Sequence, residues 1–175
     1  MTADKSISIG IDASNIRQGG GITHLSQLLR HANPDLSNIA RVIVWSNQKT
    51  LDQLPNKPWL DKQKHKLLEG NLFSRICWQI FVLESQLIEF ACDLLFVPGG
   101  SYTVRFKPIV TMNQNLLPFE WSEILRYKFS LMAVKLIFLR IVQKFSFQRS
   151  DGIIFLSKYA KNPTVTKLKG TYHYN

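Results

Sequence analysis

Three consecutive glycines, Gly19, Gly20 and Gly21, form the sharpest chemical signal in the sequence. They lie between a predicted strand and a predicted helix, where glycine lets the backbone approach a ligand closely. The start of the helix adds unpaired N–H groups and the positive end of the helix dipole, which favours an anion. The spacing is neither GxGxxG nor a GK[ST] loop, so neither a dinucleotide nor a nucleoside-triphosphate site is predicted. From the glycines alone, a flexible connection without a ligand is an equally good interpretation.

Two further loops carry groups that could contact a ligand. Asn113, Gln114 and Asn115 follow a predicted strand, and their carboxamides can donate to and accept from sugar hydroxyls. They could equally cap the following helix and satisfy loop backbone, an interpretation that the residues alone favour slightly. The run Pro98–Ser101 also ends a predicted strand, and there a plain turn is favoured over a ligand contact.

Residues for metal binding or nucleophilic catalysis are not grouped in recognisable patterns. The four histidines are scattered; His24 and His31 lie seven apart in a predicted helix, but no third ligand at metal spacing accompanies them. Cys77 and Cys92 lack CxxC spacing, which predicts buried free thiols in a reducing compartment. We therefore predict no metal site and no cofactor, and the sequence assigns no catalytic residue.

The elements that must position these loops alternate between strand and helix. Strands are predicted at residues 7–11, 41–46, 93–97, 108–112 and 151–156, and helices at 22–31, at 73–91 and, in two pieces, at 119–147. The polar stretch from 47 to 68 is left unassigned. Short apolar strands separated by helices predict an α/β fold, a Rossmann-like parallel sheet flanked by helices. In such sheets ligands bind beyond the carboxyl ends of the strands, where all the loops above would lie.

Composition and charge narrow the class of protein. The chain of 175 residues is 45% apolar and 19% charged, which excludes a disordered tail. Of its net charge of +10, residues 1–125 contribute +1, from 12 basic and 11 acidic side chains, and residues 126–175 contribute +9. No secretory signal is visible at the start. The apolar stretch at 131–142 is interrupted by Lys135 and Arg140, and is too short to span a bilayer.

The basic segment has three interpretations. In a helix its cations fall on two opposite sides, Arg126, Arg140 and Lys144 on one and Lys128, Lys135 and Arg149 on the other. This distribution favours a packed helix with snorkelling side chains. Attraction of Arg126, Lys128, Lys135, Arg140 and Lys144 to an anionic membrane surface comes second. Nucleic acid is disfavoured because aromatic and basic residues form no recognised binding motif.

Several runs together resemble one enzyme family. IGIDASNIRQGGGITHLSQLL, DLLFVPGG, VTMNQNLLPFE and FQRSDGIIFLSKYAK resemble, in order, the N-terminal domain of GT-B glycosyltransferases of family 4, also called group 1. They cover most of residues 7–161. The QN-x-x-PF form is similar to a branch of bacterial enzymes that build surface polysaccharides such as O-antigen or capsule.

The resemblance implies transfer of a sugar from a nucleotide-sugar donor to a growing, lipid-linked glycan, with retention of configuration. The N-terminal domain, at 5–162, would supply the acceptor side, and the loop of Gly19, Gly20 and Gly21 would approach the donor diphosphate. Asn113, Gln114, Asn115, Ser157 and Lys158 would face the interdomain cleft. In the family a C-terminal domain with an E-x7-E-type motif binds the donor nucleotide.

Two departures from the family pattern set the remaining expectations. Many members have a histidine where this chain has the carboxamide run, so no general base is named. Residues 163–175 are unassigned and a C-terminal nucleotide-sugar domain is absent from the chain, so we expect an N-terminal fragment that is inactive alone. We expect a cytoplasmic protein, peripheral on the inner face of the cell membrane. The alternative is a non-catalytic, membrane-associated binding module or an inactive truncated remnant.

Overall fold

The structure is a computed structural model that describes residues 6–113 and 131–156. Between 131 and 138 it describes the backbone and, among the side chains, only that of Ile137. All structural statements below concern these residues.

Six parallel strands form a single sheet. The strands are β1 (Ile7–Asp12), β2 (Ile39–Ser46), β3 (Leu60–Lys64), β4 (Leu94–Val97), β5 (Ile109–Asn113) and β6 (Gly152–Phe155). Their order across the sheet is β3-β2-β1-β4-β5-β6. Every neighbouring pair is parallel, so all carboxyl ends meet at one edge, which we call the carboxyl edge. The predicted Rossmann-like α/β fold is confirmed.

Helices connect the strands and cover the sheet. They are α1 (Gly20–His31), α2 (Gln48–Leu51), α3 (Lys66–Glu69), α4 (Leu72–Cys77), α5 (Leu83–Glu89) and α6 (Leu131–Arg149). A 3₁₀ turn at Pro34–Ser37 precedes β2, and a π-helical turn at Trp78–Val82 joins α4 to α5. The helix predicted at 73–91 is thus continuous apart from that π turn. The segment from 131 to 149 is one helix.

The alternation of side chains along each strand creates two cores, one on each face of the sheet. On β2, Val44 joins α1 in one core, while its neighbours Ile43 and Trp45 join Trp78 and α5 in the other. We call these the α1 face and the α5 face. Burial on both faces explains why the strands read as nearly continuous apolar runs, as is usual in parallel sheets.

Strand β3 was not predicted, because its sequence, LDKQK, is mostly polar. It is one of the two edge strands of the sheet, and only its Leu60 is buried. The Nζ of Lys62 donates to the Leu54 carbonyl at 2.8 Å and to Oδ1 of Asn56 at 2.7 Å. Charged side chains on an edge strand discourage pairing with another chain, so the polar sequence fits the position.

Among the described residues, no helix has the length and apolar character needed to cross a membrane.

Candidate functional site: a glycine turn and two guanidinium groups at the carboxyl edge

The predicted glycine turn opens the first helix at the carboxyl edge of β1. Gly19 precedes α1 with a φ of 71°, a left-handed conformation that glycine adopts without strain. A Cβ added at Gly19 or Gly20 would meet no atom within 4 Å, so the backbone of this turn faces open space. The first turn of α1 contains no acidic residue. The dipole and the first N–H groups of α1 are therefore accessible to an anion.

Two arginines add positive charge beside the end of β1. Nη1 of Arg75, on α4, donates to Oδ1 of Asn15 at 3.0 Å, and Nη2 of Arg17 donates to the Leu68 carbonyl. Burial lowers the pKa of Arg75, and the nearby positive charge of Arg17 lowers it further, so the two guanidinium groups repel each other. Nε of Arg17 is buried without a hydrogen-bond partner among the described residues. A negatively charged ligand would relieve the repulsion between the guanidinium groups of Arg17 and Arg75.

A buried carboxyl group, Asp12, lies beneath these arginines. Its Oδ1 accepts from the backbone N–H of Ser14 at 3.0 Å, and its Oδ2 accepts from Nε2 of Gln79 at 2.5 Å. Burial raises the pKa of Asp12, while the bonds from Ser14 and Gln79 and the charge of Arg75 oppose the rise. The shift is towards the neutral form, in which the carboxyl compensates less of the arginine charge.

Gln79 links the loops after β1 and β4. It is buried within the π turn, and Nε2 also lies 3.3 Å from Oγ of Ser14 and 3.5 Å from the Ser101 carbonyl. Its Oε1 accepts from Oγ1 of Thr103 at 3.4 Å. A π turn inserts an extra residue into a helix and commonly re-aims side chains at functional sites. Here it directs a carboxamide between the two loops.

The loop at Pro98–Ser101, which contains Gly99 and Gly100, packs closely against neighbouring parts of the chain. A Cβ at Gly99 would lie 3.2 Å from Cβ of Asn15. Gly100, with a φ of 74°, would bring a Cβ within 3.1 Å of the Met112 carbonyl and 3.2 Å of Nε2 of Gln143. The glycines of Pro98–Ser101 thus allow β1, β4, β5 and α6 to approach one another. This agrees with the predicted plain turn.

The structure places part of the predicted site at the carboxyl edge. Gly19, Gly20 and Gly21 follow β1, and Asn113 ends β5 with only 1% of its surface exposed. Because β4 lies between β1 and β5, the ends of those two strands are about 10 Å apart across the sheet. Gln114, Asn115, Ser157 and Lys158 lie outside the described residues, so the cleft that they and Asn113 were predicted to face stays a prediction.

Of the five cations predicted to contact an anionic membrane surface, only some lie among the described residues. Arg140 and Lys144 lie on α6, and Lys135 is placed there by its backbone only. Arg126 and Lys128 lie outside the described residues.

Sequence reasoning missed Asp12, Arg17, Arg75 and Gln79. Asp12 did carry a signal, because a carboxylate that ends an apolar strand has to be buried or bound. Gln79 carried another, since it interrupts the apolar stripe of a predicted helix beside Trp78. Nothing in the sequence indicated that Arg17 and Arg75 would come together.

Comparisons of the chain with protein-family models, with curated proteins and with solved structures found no match. Within the described part of the chain, no group of three or more His, Cys, Asp or Glu side chains could hold a metal ion.

Proposed function

We propose that the chain is the acceptor-side portion of a retaining glycosyltransferase, which transfers a sugar from a nucleotide-sugar donor to a lipid-linked surface glycan. The observation that carries the proposal is the open glycine turn at the start of α1, together with Arg17 and Arg75, of which Arg75 bonds to Asn15 in the loop that leads to this turn. The Rossmann-like sheet supports it only as a fold, because such sheets host many unrelated activities.

The role of this site would be to hold the donor diphosphate. Two negatively charged phosphates match two guanidinium groups, and the N–H groups of Gly20 and Gly21 add donors without side chains that obstruct approach. As charge moves to the leaving diphosphate during transfer, these fixed donors would stabilise it. The donor nucleotide would be held by a separate domain of the E-x7-E type, and no metal or cofactor is proposed.

A second candidate function is a non-catalytic, membrane-associated binding module. The exposed face of α6, described below, favours membrane association whether or not the chain transfers sugar. The two candidates differ in one respect, since only the enzyme needs a diphosphate site.

The first test is binding of inorganic pyrophosphate to the full chain, followed by amide chemical shifts. We expect the largest shifts at Gly19, Gly20 and Gly21, and a clear loss of affinity in Arg75→Met. Lys57→Met, which removes an exposed cation far from the glycine turn, serves as the matched control. The proposed role in binding the donor diphosphate is contradicted if pyrophosphate shifts only amide signals outside the glycine turn. It is also contradicted if Arg75→Met and Lys57→Met bind pyrophosphate with equal affinity.

The second test is transfer itself. The longest product of the gene that contains these residues is incubated with a lipid fraction and labelled nucleotide sugars, and the anomer of the product is determined. Incorporation with retained configuration supports the enzyme. Absence of both pyrophosphate binding and incorporation from any donor favours the binding module.

A further inference from the structure

Helix α6 carries an apolar stripe on the side that faces away from the sheet. Ile137, Ile141 and Phe145 recur every fourth residue and are 39%, 50% and 62% exposed. The opposite side of the helix is buried through Gln143, Ser146 and Phe147, whose exposures do not exceed 4%. Oγ of Ser146 accepts from the Tyr102 backbone N–H at 3.1 Å, which fixes the rotation of the helix against the α5 face. The stripe is therefore held outwards.

Cations lie along both margins of this stripe. At 100° per residue, Lys144 and Arg140 fall on one side of Ile141, and Arg149 falls on the other. Lys144 and Arg149 are exposed, and α6 contains no acidic residue. Arg140 and Lys144 from one of the two groups of cations predicted in the sequence, and Arg149 from the other, thus border a common apolar strip. This is the arrangement of a helix that lies in a membrane surface, with its apolar strip inserted and its cations at the headgroups.

A neighbouring helical segment provides the contrast. The run from the π turn through α5 also exposes apolar side chains, Phe81 at 73% and Ile88 at 69%. Exposed apolar side chains by themselves are common and have no special meaning. That run, however, carries Glu84 and Glu89 and no cation, so an anionic surface would repel it. On α6, by contrast, exposed apolar side chains and the exposed cations Lys144 and Arg149 occur in a helix without acidic residues.

We propose that the outer face of α6 docks on the surface of an anionic lipid bilayer, with Ile137, Ile141 and Phe145 entering the headgroup boundary. The charge complementarity of α6 selects a bilayer over a second copy of the chain, since two such faces would repel each other. The proposal does not depend on sugar transfer.

Docking would also orient the candidate site. Gln143 lies beside Gly100 at the carboxyl edge, so the helix from 131 to 143, about 18 Å long, extends beyond that edge. A bilayer on α6 would therefore lie on the α5 face of the chain, beside the loop that follows β4.

The test is co-sedimentation of the full chain with vesicles of phosphatidylcholine alone and with vesicles that also contain phosphatidylglycerol. We expect binding to the anionic vesicles only, weakened by added salt because the charge interaction is screened. Lys144→Gln should lower the partition coefficient roughly fivefold. The double variant Ile141→Ser, Phe145→Ser should lower it at least about tenfold, because the inserted apolar groups are lost.

Controls separate docking from loss of structure and from self-association. Leu36→Ser, which removes a side chain 84% exposed in the 3₁₀ turn, should bind as the unmodified chain does. Lys144→Gln leaves the apolar stripe intact, so it tests the proposal even if the double variant unfolds. Equal binding to both vesicles, or an unchanged partition coefficient in a folded stripe variant, overturns the proposal. A dimer in solution also overturns the proposal, if the chain does not bind vesicles and Phe145→Ser dissociates the dimer.

Discussion

Nε2 of Gln79 lies 2.5 Å from Oδ2 of Asp12, and both side chains are almost completely buried. The bond joins the end of β1 to the π turn between α4 and α5. Because Gln79 also reaches the Ser101 carbonyl, this contact holds together the two loops that border the candidate site. The position of the glycine turn relative to the loop after β4 therefore depends on a buried carboxyl group.

Asp12 should make stability fall as pH rises. Burial raises its pKa in the folded state above the ordinary value of 3.8. Between those two pKa values the folded chain binds more protons than the unfolded chain, so the free energy of unfolding decreases as pH increases. Asp12→Asn removes this component. In urea unfolding from about pH 3.5 to pH 7, the variant should therefore gain stability relative to the unmodified chain as pH rises.

Asp35→Asn, at an exposed position in the 3₁₀ turn, is the matched control for this experiment. Stability curves for Asp12→Asn and the unmodified chain that run parallel across the whole range would contradict the raised pKa.

Most of the fold could be predicted because burial on both faces leaves a simple signal. The apolar runs that became β1, β2, β4, β5 and β6 are short and separated by helical periodicity, which is typical of a parallel sheet. β3 was not predicted because only Leu60 of this edge strand is buried, and Lys62 and Lys64 are compatible with its position there. The π turn at Trp78 depends on tertiary packing and has no local sequence pattern.

The candidate site could be predicted only where a local motif marked it. Gly19, Gly20 and Gly21 were visible because three consecutive glycines between a predicted strand and a predicted helix form a local motif. Arg75 is separated from Arg17 by 58 positions, and their proximity arises from the packing of α4 beside the end of β1. Such long-range pairs leave no periodicity in a single sequence.

Asp151 should stabilise the β5–β6 edge mainly through a backbone bond. Its Oδ2 accepts from the Ile109 N–H at 2.8 Å, and its Oδ1 accepts from Nζ of Lys107 at 2.9 Å. Burial alone would raise the pKa of Asp151, but these bonds outweigh it and lower the pKa. The stabilisation is therefore present at neutral pH and lost as pH falls below about 3.8. Asp151→Ala should cost about 1–2 kcal/mol at pH 7 in urea unfolding.

Lys107→Met tests the other half of that interaction. The Lys107 side chain is 64% exposed, so its ion pair is screened and the variant should cost less than about 0.5 kcal/mol. A larger loss from Lys107→Met than from Asp151→Ala would show that the ion pair dominates.

The two cysteines should differ sharply in reactivity. Both are free thiols, but Cys92 is buried and burial raises its pKa to about 11, whereas Cys77 is partly exposed on α4. Only the thiolate reacts, so a disulfide reagent at about pH 8 should modify one thiol quickly in the folded chain. Cys77→Ser should abolish this fast phase and Cys92→Ser should preserve it. A fast phase that survives in Cys77→Ser would contradict the burial of Cys92.

Substitution by alanine should affect the free energy of unfolding differently at Gly10 and at Gly20. A Cβ at Gly10 would lie 2.6 Å from Cδ2 of Leu87 and 2.9 Å from Cζ3 of Trp45, and both neighbours are fully buried. Since neither can move without disturbing the core on the α5 face, Gly10→Ala should cost about 1–3 kcal/mol.

At Gly20 an added Cβ meets open space, and alanine favours a helix more than glycine does. Gly20→Ala should therefore leave the free energy of unfolding unchanged or raise it by up to about 1 kcal/mol. Urea unfolding of the two variants beside the unmodified chain measures both effects. A Gly20→Ala variant less stable than Gly10→Ala would mean that β1 does not approach α5 as closely as described. If Gly20→Ala stays stable while pyrophosphate affinity drops, the glycine at this position serves the ligand and not the fold.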